Sequence, residues 1–191
     1  LRFKFYNKKT TLTSIDALSL HKNLEILKKK KVNNVVIEAS SHGLDQKRLD
    51  HLNINTGIFT NLSHDHLDYH KDIKSYLNAK MYLFRNLVNP KANIITDEEN
   101  KEFKIIKKII KKRNLKKNTI GKSHDSIVIL SNIFKKNKQL VKIKIRSKIF
   151  TIKVPLIGFF QIKNLLMAVL AAHASGLSFK KIFKKIDKIK S

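Results

Sequence analysis

The chain has 191 residues and a mass of 22.2 kDa, room for one domain with a sizeable core or two small ones. Hydrophobic residues make up 42% and aromatics 8%, and no apolar run nears the roughly 18 residues that cross a bilayer, so a globular chain without a membrane span is expected; the lack of cysteine removes disulfides, thiolate metal sites and thiol nucleophiles. The net charge of +27 invites a nucleic-acid reading, but only five of the 41 basic residues are Arg, and Ile and Asn are also abundant, as A/T-rich coding would produce, so a solvated Lys surface is the better account.

Ile15 to Lys31 carries Leu20, Leu24 and Leu27 at helical spacing and closes on a Lys run that suits the negative end of the helix dipole. Val35-Val36-Ile37 is a short β-branched run with the pattern of a buried parallel strand, and Ile58-Phe59-Thr60 is a second. Ser75 to Val88 predicts a helix closed by Asn89-Pro90, followed by a third strand over Ala92 to Ile95. Glu102 to Arg113 sets Phe103, Ile106, Ile109 and Ile110 on one face and lysines on the other, an ordinary surface helix of an α/β domain. From Ile127 to Val154 the pattern alternates, as in a hairpin-like pair of half-exposed strands. Asn164 to Ser175 reads as an apolar helix and Ser178 to Lys190 as a basic amphipathic one. The fold class is therefore α/β, a mainly parallel sheet flanked by helices with a small antiparallel portion.

Two polar clusters follow strands, where open α/β sheets bind ligands. Asn61-Leu-Ser-His64-Asp65-His66-Leu-Asp68-Tyr69-His70 suggests metal, but Tyr69 spoils the His-x-His-x-Asp-His signature of a zinc hydrolase, and His64 and His70 read better as loop histidines that cap or face solvent. Glu38-Ala-Ser40-Ser41-His42-Gly43-Leu44-Asp45-Gln46-Lys-Arg48 lacks a nucleophile elbow around Ser40, His42 and Asp45. A carboxylate there is better suited to a hard cation, and Arg48 to a carboxylate or phosphate. In Tyr76-Leu-Asn-Ala79-Lys80-Met-Tyr-Leu83-Phe84 a single Lys sits among mostly apolar neighbours.

In this order the clusters resemble the central ATP-binding domain of the Mur ligases, specifically the MurE type that adds a diamino acid during peptidoglycan synthesis. Val36-Ile-Glu38-Ala-Ser40-Ser41-His42-Gly43-Leu44 is similar to the family's strand and Glu-x-Ser-Ser-His-Gly-Leu loop, and Asn61 to His70 to its Asn-Leu-x-x-Asp-His-Leu-Asp-Tyr-His. Ala79-Lys80, Leu83-Phe84, Pro155 to Gly158 and Asn164-Leu-Leu fit the remainder. The resemblance implies a Mg²⁺ site around Glu38, His66 and Lys80, with Lys80 carbamylated; UDP-MurNAc-L-Ala-D-Glu held by Thr13, Ser14, Ser40, Gln46 and Arg48; and the adenine of ATP at Asn164. The implied reaction forms an acyl phosphate that the amine of a diamino acid attacks. A cytoplasmic monomer that binds neither nucleic acid nor membrane is the matching expectation. The alternatives are a Lys-rich nucleic-acid-binding module and a zinc hydrolase built on His64 to His70.

There are departures: Thr13-Ser14-Ile15 stands for the family's Thr-Thr-Pro, His64 for an Arg or Lys, Gln161 for an Asn, and Thr96 for the Asn of an Asn-x-Asp turn. No Gly-x-x-Gly-Lys-Thr phosphate loop occurs in the 191 residues. With a first residue of Leu1 rather than Met, the expectation is one partial central domain over 1–191, with the phosphate loop and a UDP-binding domain upstream and an amino-acid-binding domain downstream. Such a piece should be inert alone, and its residues do not reveal which diamino acid is added.

Overall fold

The computed structural model describes residues 15–135, 138–186 and 189. They gather into two compact units, one from the described part of Leu1–Leu52 with His64–Leu83, the other from Asn53–Ser63 with Phe84 onward.

The first unit is helical. Helix α1, Ala17–Lys29, starts where the Asp16 carboxylate accepts from the Ser19 N–H at 2.8 Å and ends on Lys28 and Lys29. Helix α2, Ser41–Asp45, is capped by Ser40, whose Oγ accepts from the Gly43 N–H at 3.1 Å. Helix α3, Leu67–His70, and α4, Ile73–Tyr82, follow, α4 capped by Asp72 through the N–H and hydroxyl of Ser75. α2 packs on α4, and Leu44, Leu49, Tyr76, Ala79 and Met81 are buried.

The strand expected at Val35–Ile37 does not form. Residues 32–40 have no regular structure, and Val36 is 95% exposed. A β-branched run becomes a strand only where a neighbour takes up its backbone N–H and C=O groups, and this run pairs with none of the six described strands.

The second unit holds one six-stranded sheet in chain order: β1 Ile54–Phe59, β2 Val88–Asp97, β3 Lys116–Ile120, β4 Ile127–Lys135, β5 Lys138–Ile145 and β6 Lys148–Val154. β1 to β4 run parallel and β4 to β6 antiparallel. The alternating stretch is thus a three-stranded meander, one strand more than its sequence suggested. The described helices of this unit are α5 Phe103–Lys112, α6 Phe159–Ala174 and α7 Phe179–Ile186. α6 packs on β1, β2 and β3, and α5 on β2. Ile94 and Ile95 point to opposite faces of β2, and both are fully buried, so the sheet is covered on both sides there. The core beneath α6 joins Ile95, Ile120, Ile127, Val141, Ile143, Ile152 and Val154 to Ile162, Leu166 and Leu170.

Two boundaries moved. The helix expected from Ser75 to Val88 passes from α4 into a π-helical turn, Leu83–Leu87, whose Phe84 carbonyl, with that of Val88, accepts from the Arg113 guanidinium at 2.9 and 2.8 Å. Asn89-Pro90 then lies inside β2 instead of closing a helix. Proline is tolerated because the β1–β2 register slips between Ile54–Val88 and Thr56–Asn93, and its missing N–H falls in that irregularity. β3 went unread because its first residues, Lys116-Lys117-Asn118, look like surface loop; only its end, Thr119 and Ile120, is buried. Gly57 on β1 is closely packed: an added Cβ would lie 3.0 Å from the Phe84 ring and 3.2 Å from the Val88 side chain, which would have to give way slightly.

The two faces of α5 should behave oppositely. Ile106 is fully buried while Lys107 and Lys108 are exposed. Ile106→Ala should cost about 2–5 kcal/mol in urea unfolding, and Lys107→Glu with Lys108→Glu no more than about 1 kcal/mol.

Candidate functional site

In the first unit, α2, α3 and α4 bring their polar and aromatic side chains to one place. The ring of His42, just inside α2, lies 4.1 Å from Tyr69, 5.1 Å from His66 and 5.5 Å from His70, centre to centre. Tyr76 on α4 stacks on His70 at 5.1 Å and meets His66 edge-on at 5.9 Å. The Lys80 nitrogen, one turn further along α4, sits 4.9 Å from the centre of the Tyr76 ring. One aromatic side chain therefore contacts both His66 and Lys80, which the sequence placed 14 residues apart.

His66 has φ 58° and ψ 24°, a left-handed conformation costly for a residue with a Cβ, at the start of α3. Its backbone N–H donates to the Asp65 carboxylate at 2.9 Å, and its side chain is about half exposed. The solvent-facing reading of His70 is corrected. His70 is only 6% exposed between the rings of Tyr69 and Tyr76, and its Nε2 has no protein partner. Burial, reinforced by the charge of His42, holds its pKa below the ordinary histidine value. Solvent exposure holds for His64. Among the described residues, no three His, Cys, Asp or Glu side chains gather in metal-holding geometry, which leaves the zinc-hydrolase alternative without support.

Gln46 and Arg48, read as substrate contacts, are joined. Arg48 Nη2 donates to Gln46 Oε1, Gln46 Nε2 donates to the Tyr69 hydroxyl at 3.2 Å, and that hydroxyl donates to Asp45 Oδ2 at 3.0 Å. Ser40 spends its hydroxyl as the α2 cap. Glu38 is exposed on the irregular segment ahead of α2, and Thr13 and Ser14 lie outside the described residues.

The Mg²⁺ that the resemblance implies can be tested against the chemistry of these donors. Glu38 offers a carboxylate, His66 an imidazole in an exposed and strained position, and Lys80 a second pair of anionic oxygens once carbamylated. An unmodified Lys80 would repel the ion. By residue type, two of the three would offer the oxygens that a hard cation prefers, with water to complete its shell.

In the second unit, polar groups crowd the carboxyl ends of the parallel strands. Asn100 donates to the Thr60 carbonyl, past β1, at 2.9 Å. At the end of β2, Asp97 is only 3% exposed and pairs with Lys163 of α6 at 2.6 Å; Lys163 also reaches Glu99 at 2.8 Å. Burial works against the Lys163 charge, but the hydrogen bonds to Asp97 and Glu99 outweigh it and raise its pKa. Asn164, the residue read as an adenine contact, is the next residue of α6 and is exposed. Glu98 ties the β3–β4 loop down, accepting from Lys117 and Thr119, each at 3.0 Å, and from the N–H and hydroxyl of Ser123. Burial opposes its charge, yet these donors bring the Glu98 carboxyl down to about 2. An added Cβ on Gly121 would collide with the Glu98 side chain. Sequence reasoning missed Asp97, Glu98, Glu99 and Lys163. The available signal was three successive acids after a strand, in a chain with only 14 acidic residues.

This is an α/β domain of the class that binds ligands beyond the carboxyl ends of parallel strands. The chain belongs to the Mur ligase middle domain family, whose pattern it matches over residues 2–172. It is 36% identical over 180 residues to a UDP-N-acetylmuramoyl-L-alanyl-D-glutamate--2,6-diaminopimelate ligase of Rickettsia montanensis, covering 94% of this chain and 37% of that protein. A ligase of the same name from Brucella melitensis is 38% identical over 170 residues, covering 87% of this chain and 34% of its own length. A solved structure of a ligase with that name superposes with a TM-score of 0.83 at 26% identity, over 93% of this chain and 37% of that one. The chain thus spans little more than a third of the length of these relatives.

Removing the Lys163 charge should strand Asp97 as a buried carboxylate. Lys163→Met should cost about 2–4 kcal/mol in chemical denaturation, and adding Asp97→Asn should restore a large part of it. Glu98 predicts an acid-side effect. Its folded pKa of about 2 lies below the 4.5 of an ordinary Glu, so its stabilisation is complete above pH 4.5 and is lost as the pH falls toward 2. Glu98→Gln should flatten that part of a stability-against-pH curve followed by circular dichroism.

Proposed function

We propose that the chain is the central domain of an ATP-dependent ligase that joins a diamino acid to UDP-MurNAc-L-Ala-D-Glu in peptidoglycan synthesis. The observation that carries this reading is the extent of the likeness: relatives bearing that ligase name are similar over nine-tenths of the chain, through both polar clusters. Those relatives are named for 2,6-diaminopimelate, which is the diamino acid proposed here. ATP and a UDP-linked precursor are cytoplasmic metabolites, so the cytoplasm is the proposed site of the reaction.

In the proposed reaction an oxygen of the substrate's D-Glu carboxylate attacks the γ-phosphorus of ATP, the bond to ADP breaks, and an acyl phosphate forms. The amine of the diamino acid then attacks the acyl carbon, inorganic phosphate leaves with the bonding electrons, and the amine proton passes to solvent. Gln46 and Arg48 hold anionic groups of the precursor, Arg48 through its planar fork of donors. Asn164 contacts the adenine from α6, whose first turns the Lys163–Asp97 pair secures at the end of β2. Lys80 becomes a carbamate when its neutral amine adds to CO₂ and releases a proton. Glu38, His66 and that carbamate would hold Mg²⁺, which when bound would supply positive charge against the phosphates. Chemistry of this kind rests on positioning and electrostatics.

The test is ADP release by the ligase that carries this chain. Release should require both UDP-MurNAc-L-Ala-D-Glu and the diamino acid. Lys80→Ala should lower the rate at least about 100-fold, short carboxylic acids should restore part of it, and Lys80→Arg should stay inactive. Release independent of the dipeptide precursor would overturn the ligase reading, and full activity of Lys80→Ala would remove Lys80 from the site.

A further inference from the structure

We infer that Tyr69 and Asp45 form a positioning pair that sets the direction of the Gln46 amide and, through it, the place of Arg48. The inference rests on the reading of Gln46 and Arg48 as precursor contacts.

The argument is one of hydrogen-bond direction. A tyrosine hydroxyl has one proton to give, and a carboxylate can only accept. With Asp45 Oδ2 at 3.0 Å, the Tyr69 proton goes to Asp45, and the hydroxyl is left to accept on its other side. The group there is the Gln46 amide, which can satisfy an acceptor only with its NH₂ end, at 3.2 Å. Its carbonyl oxygen is thereby turned toward Arg48, which donates to it through Nη2. Rotated by half a turn, the amide would set an NH₂ against a guanidinium that can only donate, and would offer its oxygen to a hydroxyl whose proton is already committed. The Asp45 charge therefore fixes a polarity that passes through Tyr69 and Gln46 to Arg48. The tyrosine itself is held in place by its ring contacts, 4.1 Å from His42 and 4.8 Å from His70. Asp45, Gln46 and Arg48 are all at or just past the end of α2 while Tyr69 is on α3, so the relay also ties the two helices at the point where a precursor would be gripped.

Tyr69→Phe keeps the ring and removes the hydroxyl, so it tests direction without opening a cavity. In the ligase carrying this chain, it should raise KM for UDP-MurNAc-L-Ala-D-Glu about 5- to 20-fold, with KM for ATP unchanged and kcat within about twofold. Asp45→Ala should do the same, whereas Asp45→Asn, which retains an acceptor oxygen, should recover most of the loss. Combining Tyr69→Phe with Gln46→Ala should add little to Gln46→Ala alone, because Tyr69 acts through that amide. Fully additive effects, or equal rises in KM for ATP and the precursor, would overturn the relay. Arg48→Ala separates the two levels: if it weakens the precursor while Tyr69→Phe does nothing, the relay fails and the site reading stands. If Arg48→Ala itself leaves the precursor KM unchanged, the reading of the site fails.

Discussion

A carboxylate shut away from water has to find a cation, and at the end of β2 that requirement ties the second unit together. Asp97 is nearly inaccessible, and ionised it would be intolerable there without Lys163. Because Lys163 stands on the second turn of α6, pairing it with Asp97 sets that helix against the strand end, and the apolar run from Ile162 to Leu170 then falls onto β1, β2 and β3. Gly158, at φ 106°, provides the left-handed turn that starts the helix at this place. Glu98, one residue on, anchors the β3–β4 loop with the same economy of charge. Three consecutive acids thus tie together a helix, a strand end and a loop, and the exposed Asn164 follows Lys163 on that helix.

The first unit is organised by rings. Three histidines and two tyrosines from α2, α3 and α4 lie against one another, and the polar ends of these side chains are turned to different uses. Tyr76 stacks on His70 and stands nearly perpendicular to His66, Tyr69 relays a hydrogen bond, and His66 is held in a strained backbone state that its neighbours must maintain. A long Arg or Lys side chain left to itself loses about 2 kcal/mol of rotamer freedom on being fixed, and supports of this kind reduce what must be lost later.

Much of this was legible beforehand. The apolar spacing in α1 and α5, the Ala- and Leu-rich α6 and the alternation in β5 and β6 marked elements whose burial follows from their own pattern. The two polar clusters could be recognised because their residue types are unusual in a Lys-rich chain and their spacing is that of one family. The failures share a cause. Val35–Ile37 has the composition of a strand but no partner among the described strands, β3 has a partner but not the composition, and Asn89-Pro90 has the chemistry of a helix stop yet sits in a register slip of β2. Pairing between strands is non-local, and local pattern cannot report it.

The sequence by itself determined the fold class, the family and the residue types from which a site could be built, because periodicity, capping residues and motif spacing are written along the chain. Only the tertiary structure decided which of those residues act on one another. That His66 and Lys80 share Tyr76, that Asp45 reaches Gln46 through Tyr69, and that Lys163 neutralises Asp97 are all contacts between residues brought together by packing, across 10 to 66 positions of chain or through a third side chain. Such contacts depend on where helices and strands come to rest, and that is set by the burial of apolar faces that carry no chemistry of their own.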